Sequence, residues 1–189
     1  GSCRIMLEKP EARESFQVKN LCPDTIMFAN LGLVQLNYGV GYEEIMKIME
    51  WTRADGLIFH LNVLQEAVQP EGDTNFKNLV DKLNRLVAKL NFPVIAKEVG
   101  HGVDVESAKL IEKTGIKYLD VAGLGGTSWA WVEGYRRSEM PKSNPGFIFK
   151  NVGYTTAESI INVSNNTNLK VIAGGGIRTG LDIFKSLAL

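Results

Sequence analysis

His60, Asn62, Gln65 and Glu66 stand close together in "HLNVLQEAVQPEGD" (His60–Asp73), directly after the apolar run "DGLIF" (Asp55–Phe59). A strand that merely turned into a helix would need one capping residue, a part Asn62 could fill alone. This stretch instead supplies an imidazole, amides and carboxylates, which means donors, acceptors and charges at once. Such a surplus after an apolar run points to a polar ligand site. A lone His60 would read as a satisfied core histidine; beside Asn62, Gln65 and Glu66 it reads as part of the site. Glu71 and Asp73, beyond Pro70, read as loop and helix-cap residues, and His101, after Gly100, as solvated.

Other apolar runs end in the same way. Asn30 closes "TIMFAN", Lys97 and Glu98 lie in "PVIAKEV", and Asp120 leads into "AGLGGTSW". A lysine inside a buried strand is costly unless it is paired, so Lys97 is expected to face a site or an anion. Two ends are rich in glycine: "GLGGTSW" (Gly123–Trp129), with the hydroxyls of Thr127 and Ser128, and "GGGIRTG" (Gly174–Gly180) before a final helix. Glycine lets a phosphate approach the backbone, whose N–H groups can then bond its oxygens. Neither loop matches a Walker or dinucleotide fingerprint, and tight turns are the plainer explanation of each taken singly.

The elements that must carry these residues alternate. Five near-continuously apolar runs, Thr25–Asn30, Gly56–Asn62, Pro93–Val99, Ile116–Gly123 and Leu169–Gly176, read as strands buried on both faces of a parallel sheet. Amphipathic segments lie between them. In Thr74–Leu90, Phe76, Leu79, Val80, Leu83, Leu86, Val87 and Leu90 form the stripe of a helix packed on a sheet. Thr155 and Glu158 have capping-box spacing, and Asp104 is placed to cap the next helix of the kind. Strand, helix, strand, helix is the order of a parallel α/β fold, with either an open doubly wound sheet or part of a (β/α)8 barrel as its architecture. Polar groups at the same end of consecutive strands then make one rim, where ligands bind in such folds. Residues 131–154, polar and bearing Pro and Gly, read as an inserted loop in a single domain, 1–189.

Composition excludes several classes. The 189 residues are 44% hydrophobic and 22% charged with a formal net charge of zero, so no basic field attracts nucleic acid or an anionic membrane. No apolar run approaches the roughly 20 residues of a membrane helix, and no signal-peptide pattern opens the sequence. Cys3 and Cys22 make neither a disulfide framework nor a metal motif, which suits a cytoplasmic protein. The opening Gly1-Ser2 is either a cloning scar or part of a longer protein.

Taken in order, "ANLG.VQLNYG", "HLN.LQEAVQPEGD", "KEVG.G", "D.AG.GGTSWA" and "GGIR.GLDI.K..AL" resemble the type 2 isopentenyl diphosphate isomerases, FMN-dependent (β/α)8 enzymes. The resemblance runs along essentially the whole chain, "GSCR" at its start included. It implies a partial TIM barrel with about five of eight βα units present, lacking N-terminal and C-terminal parts. It also implies interconversion of isopentenyl and dimethylallyl diphosphate by proton addition and elimination, using reduced FMN, Mg²⁺ and NAD(P)H as reductant. Gln65 would contact substrate and relay a proton, together with His60. Arg4, His60 and Asn62 would face the diphosphate, and Glu66 would hold Mg²⁺. Ser2, Asn30, Lys97, Ala122, Thr127, Gly175, Gly176 and Arg178 would line FMN and its phosphate. A homotetramer or homo-octamer is the assembly the resemblance suggests. Two alternatives stand beside it: a non-catalytic fragment of such an enzyme, and an FMN oxidoreductase of the α-hydroxy-acid oxidase type.

Overall fold

The computed structural model describes residues 1–138, 140 and 142–189. Strands β1 (Phe28–Gly32), β2 (Gly56–Leu61), β3 (Val94–Glu98), β4 (Tyr118–Asp120) and β5 (Lys170–Ile172) form one parallel sheet in the order β1-β2-β3-β4-β5. Helices α1 (Arg4–Glu8), α2 (Tyr42–Thr52), α3 (Val63–Val68), α4 (Leu79–Val87), α5 (Val105–Glu112), α6 (Trp129–Arg136), α7 (Pro145–Ile148), α8 (Thr156–Ser164) and α9 (Gly180–Ala188) surround it.

This corrects the expectation of a partial (β/α)8 barrel. The sheet is open: β1 pairs only with β2 and β5 only with β4 among the described residues. Hydrophobic periodicity specifies βα units, but it holds no information on whether the two end strands pair, and closure depends on that pairing. The sequential order also lacks the reversal that gives a doubly wound sheet its switch point.

Because side chains alternate across a strand, each register row belongs to one face. Leu31, Phe59, Ala96 and Leu119 lie side by side in register and are fully or almost fully buried. They join Ile45 and Ile48 of α2, Leu83 and Leu86 of α4, Ala108 and Ile111 of α5, and Ile160 and Val163 of α8 in one apolar core. The next row, Gly32, His60, Lys97 and Asp120, faces the other way. The strands are thus less uniformly apolar than a sheet covered on both sides, and the polar exceptions share one face apart from Glu98 at the end of β3.

Helix ends follow the sequence signals. Thr155 Oγ1 accepts from the Glu158 N–H at 3.3 Å while Glu158 Oε2 accepts from the Thr155 N–H at 2.8 Å. Asp104 Oδ1 accepts from the Ser107 N–H at 2.7 Å. Two spans differ from expectation. The helix read over 74–90 begins only at Leu79, because Asn78 sits at φ 57°, a left-handed conformation through which a right-handed helix cannot extend. The stretch 131–154 carries helical residues: most of α6 falls in it, and α7 packs against α6 through Gly134 and Gly146, where a Cβ on Gly146 would lie 2.4 Å from the Gly134 Cα. Positions 139 and 141 of that stretch lie outside the described residues.

Candidate active site

At the carboxyl ends of β1, β2 and β3, on the face away from the helical core, lies a cavity of about 470 Å³. Its wall brings together Ser2, Arg4, Asn30, His60, Asn62, Gln65, Glu66 and Lys97. Ala122, Thr127, Gly175, Gly176 and Arg178 do not line it. A volume in the range of ordinary small-ligand sites, with cations and carboxylates in the same wall, suits a ligand that carries both signs of charge.

Asn62 stands at the N-terminal boundary of α3, yet its side chain caps nothing. Instead Nδ2 donates to Glu66 Oε1 at 2.7 Å and, more weakly, to Gln65 Oε1 at 3.5 Å. Helical spacing makes this work, since residues four apart on α3 meet on one side. Asn62 is 4% exposed, and its Oδ1 has no hydrogen-bond partner. A buried acceptor left unsatisfied is costly, so this oxygen calls for a donor or a cation from the cavity.

Gln65 is fixed from behind. Its Nε2 donates to Oε1 of Glu133 at 2.9 Å, a carboxylate 3% exposed on α6. Arg136 Nη1 donates to the other Glu133 oxygen at 2.6 Å, and Arg136 Nη2 pairs with Glu71. The charged acceptor sets which end of the Gln65 amide is NH₂, leaving its oxygen toward Asn62.

His60 Nδ1 lies 3.2 Å from Asn30 Oδ1, and Nε2 packs against Gly32, where an added Cβ would sit 3.1 Å away. Burial, and then the positive charge of Lys97, lowers the His60 pKa from 6.5 to about 4. The ring is therefore neutral at pH 7 and offers a donor and an acceptor rather than a cation. Lys97 Nζ donates to the Glu98 carbonyl at 2.8 Å and pairs with Asp120 Oδ2 at 3.5 Å. Its strand neighbour Glu98 faces the helical side, where Oε2 accepts the N–H groups of Val99, Gly100 and His101 at 2.6–2.8 Å. Burial raises the Glu98 pKa despite those bonds.

The two glycine loops pack on each other. A Cβ on Gly175 would lie 2.3 Å from the Gly123 carbonyl oxygen, and one on Gly176 would lie 2.5 Å from that of Gly125. Gly175 and Gly176 also have φ of 105° and 75°, so backbone conformation and close approach both require glycine. Arg178 Nη1 donates to the carbonyls of Gly125 and Gly176. Backbone packing alone thus accounts for glycine at Gly175 and Gly176.

Three residues that sequence reading did not place belong to the site. Gln35, Asp73 and Glu133 hold other cavity residues by hydrogen bonds that span 38 to 69 positions of chain. Asp73 is no helix cap, since α4 starts after Asn78. His101, read as solvated, is 7% exposed, with Nδ1 2.9 Å from the Val152 carbonyl and Nε2 unpartnered. Trp129 lines the cavity, while Trp131 stacks on Tyr135 with ring centroids 6.2 Å apart.

The chain is 45% identical, over 190 aligned positions, to an isopentenyl-diphosphate delta-isomerase of Nostoc sp. (strain PCC 7120). It is 46% identical to the protein of that name from Synechocystis sp. (strain PCC 6803) and 42% identical to that from Rickettsia prowazekii (strain Madrid E). Each match takes in 100% of this chain and 54–56% of the relative. The chain thus spans about half the length of the curated relatives it matches. No family model matches it.

These relatives also correct the motif-based resemblance. They carry the isomerase name with no type 2 or FMN-dependent qualifier, and they match this chain from end to end. What stands is a likeness to isopentenyl-diphosphate delta-isomerases; the narrower assignment to the flavin-dependent type does not. Among the described residues, no helix is long and apolar enough to cross a membrane.

Proposed function

We propose that the cavity binds isopentenyl diphosphate and interconverts it with dimethylallyl diphosphate. The observation that carries this reading is the convergence of Arg4, His60, Asn62, Gln65, Glu66 and Lys97 in one wall, in a chain similar throughout to isomerases of that name. The reaction adds one proton at the terminal methylene carbon and removes one from the carbon on the far side of the branch. It is a net transposition of the double bond with no redox change. The diphosphate needs cations and hydrogen-bond donors, which Arg4 and the neutral His60 provide. The carbon end needs a proton acceptor and donor held in place, and Gln65, anchored on Glu133, would take part in such a relay.

Mg²⁺ fits the donor set. Among the described residues, no group of three His, Cys, Asp or Glu side chains could hold a metal unaided. Mg²⁺, however, commonly takes one or two carboxylates together with substrate phosphate oxygens. Glu66 would be the protein carboxylate, and the unpartnered Asn62 Oδ1 lies beside it as a further oxygen. The ion would neutralise part of the diphosphate charge.

Reduced FMN, with NAD(P)H as its reductant, would draw on residues beyond this cavity: Ser2, Asn30 and Lys97 lie in its wall, but Ala122, Thr127, Gly175, Gly176 and Arg178 stand outside it.

The test is conversion of isopentenyl diphosphate by the purified chain, followed by the appearance of dimethylallyl diphosphate, with Mg²⁺ and reduced FMN each supplied and withheld. Turnover that needs Mg²⁺ and is lost in Gln65→Ala supports the reading. Absence of turnover under every combination, with no binding of the diphosphate, overturns it. Dependence on added FMN decides the cofactor.

A further inference from the structure

Asp73 has no part in the reading above, yet it bonds three residues of the cavity wall. Its Oδ2 accepts from Arg4 Nη1 at 2.7 Å and from Gln35 Nε2 at 2.7 Å. Its backbone N–H donates to Glu66 Oε2, also at 2.7 Å. One residue therefore holds the arginine of the cavity wall with its side chain and the glutamate with its main chain. The residues so joined come from α1, from the turn after β1 and from α3.

The local sequence builds this arrangement. Gln69 and Pro70 end α3, and Gly72 brings the returning chain against that helix so closely that a Cβ would lie 1.9 Å from the Glu66 carbonyl oxygen. Only glycine lets the next N–H reach the Glu66 carboxylate. Gln35, 5% exposed, fixes the other side of the Asp73 carboxylate from the turn after β1.

Arg4 gains most from this. It is carried on a five-residue helix and its side chain is 44% exposed, so alone it would sample many rotamers. Nη1 is held by Asp73, and Nε lies 3.2 Å from Glu8 Oε1. Nη2 has no partner among the described residues. A guanidinium gripped at two nitrogens presents the third in a fixed direction, and the rotamer entropy is lost on folding and not on binding.

We propose that Asp73 is a positioning residue that sets the anion-binding Arg4 and the cation-binding Glu66 relative to each other, so that a diphosphate and its divalent metal are bound as one unit. The inference rests on the diphosphate reading above and assigns Asp73 no contact with the reacting carbons. It requires that metal and diphosphate reinforce each other's binding through this residue, a coupling that a merely structural loop staple would not produce.

The probe is inorganic pyrophosphate, titrated calorimetrically into the full chain with and without Mg²⁺. In the unsubstituted chain Mg²⁺ tightens pyrophosphate binding. In Asp73→Asn, which keeps the side-chain volume and the main-chain bond to Glu66 but removes the charge that holds Arg4, pyrophosphate affinity falls at least tenfold and the tightening by Mg²⁺ shrinks, because Arg4 no longer holds the anion beside Glu66. Complexation of Mg²⁺ by pyrophosphate in solution is common to both chains and cancels in the comparison. Gly72→Ala, which pushes Asp73 off Glu66 and leaves its carboxylate intact, reduces the Mg²⁺ effect more than the Mg²⁺-free affinity. Thermal melting of each variant is followed in parallel. An Asp73→Asn chain that melts as the unsubstituted chain does and retains its Mg²⁺ effect overturns the inference alone. Loss of binding only in step with loss of the folded state overturns it too. An unsubstituted chain that binds no pyrophosphate in either condition brings down the diphosphate reading, and the inference with it.

Discussion

The rows Leu31–Phe59–Ala96–Leu119–Val171 and Gly32–His60–Lys97–Asp120–Ile172 are one residue apart on every strand, yet they belong to different chemistries. In the first, the residues of the four leading strands are sealed against α2, α4, α5 and α8. In the second, neutral imidazole, ammonium and carboxylate stand side by side near an open cavity. The strand's period of two lets a single segment serve both purposes without compromise, because neighbours in sequence point to opposite faces. Stability is concentrated on one face and recognition on the other. A polar residue on the recognition face meets solvent or ligand and not the core.

That division can be broken most directly at neighbouring positions of β2. Phe59→Ala, which empties a fully buried site, should cost about 3–5 kcal/mol in urea unfolding. His60→Ala, one residue on, should cost under about 1 kcal/mol at pH 7, in the range of one modest hydrogen bond, while weakening pyrophosphate binding. Equal losses of stability would end the contrast between the faces.

A second effect, smaller, lies behind the site. Arg136→Ala removes the charged partner of buried Glu133 and leaves Gln65 as its remaining side-chain donor among the described residues. Stability should fall by about 1–3 kcal/mol, with turnover falling further than stability predicts if Gln65 loses its orientation. Denaturant titration and the isomerase assay together separate the two.

Proton linkage sharpens the comparison next. The folded-state pKa of His60 is about 4, against 6.5 for the free side chain. Between those values the unfolded chain takes up a proton that the folded chain refuses, so stability is full above pH 6.5 and declines as pH falls toward 4. The urea midpoint should fall over that window, and less so in His60→Gln. Lys97→Met, by removing the neighbouring positive charge, should move the imidazole pKa upward, as NMR titration of the ring would show. A small effect belongs to the helical side: Thr155→Ala, breaking the α8 capping box, should cost about 1 kcal/mol and leave ligand binding untouched.

The alternation of strands and helices was legible because apolar runs and helical stripes are local signals, and four of the five strands begin within two residues of the expected starts. The choice between an open sheet and part of a barrel was not, since both share that alternation and differ in which strands pair at the ends. The polar residues of β2 and α3 were legible as exceptions within or directly after an apolar run. Asp73 and Glu133 were not, because their partners lie far off in sequence and each resembles an ordinary loop or helix-surface acid. The glycine loops were plain in composition, but backbone packing on backbone has the same sequence signature as room for a phosphate, so the sequence could not tell the two demands apart.

The bond from the Asp73 N–H to Glu66 has a consequence for how this sequence can vary. A main-chain donor is indifferent to the side chain it carries, so substitutions at Gln69 and Glu71 leave its direction intact. It is sensitive to the number of residues that precede it. A single insertion or deletion between Val68 and Gly72 would deliver a different N–H, or none, to the carboxylate. Loop length, and not loop composition, is where this part of the site is encoded.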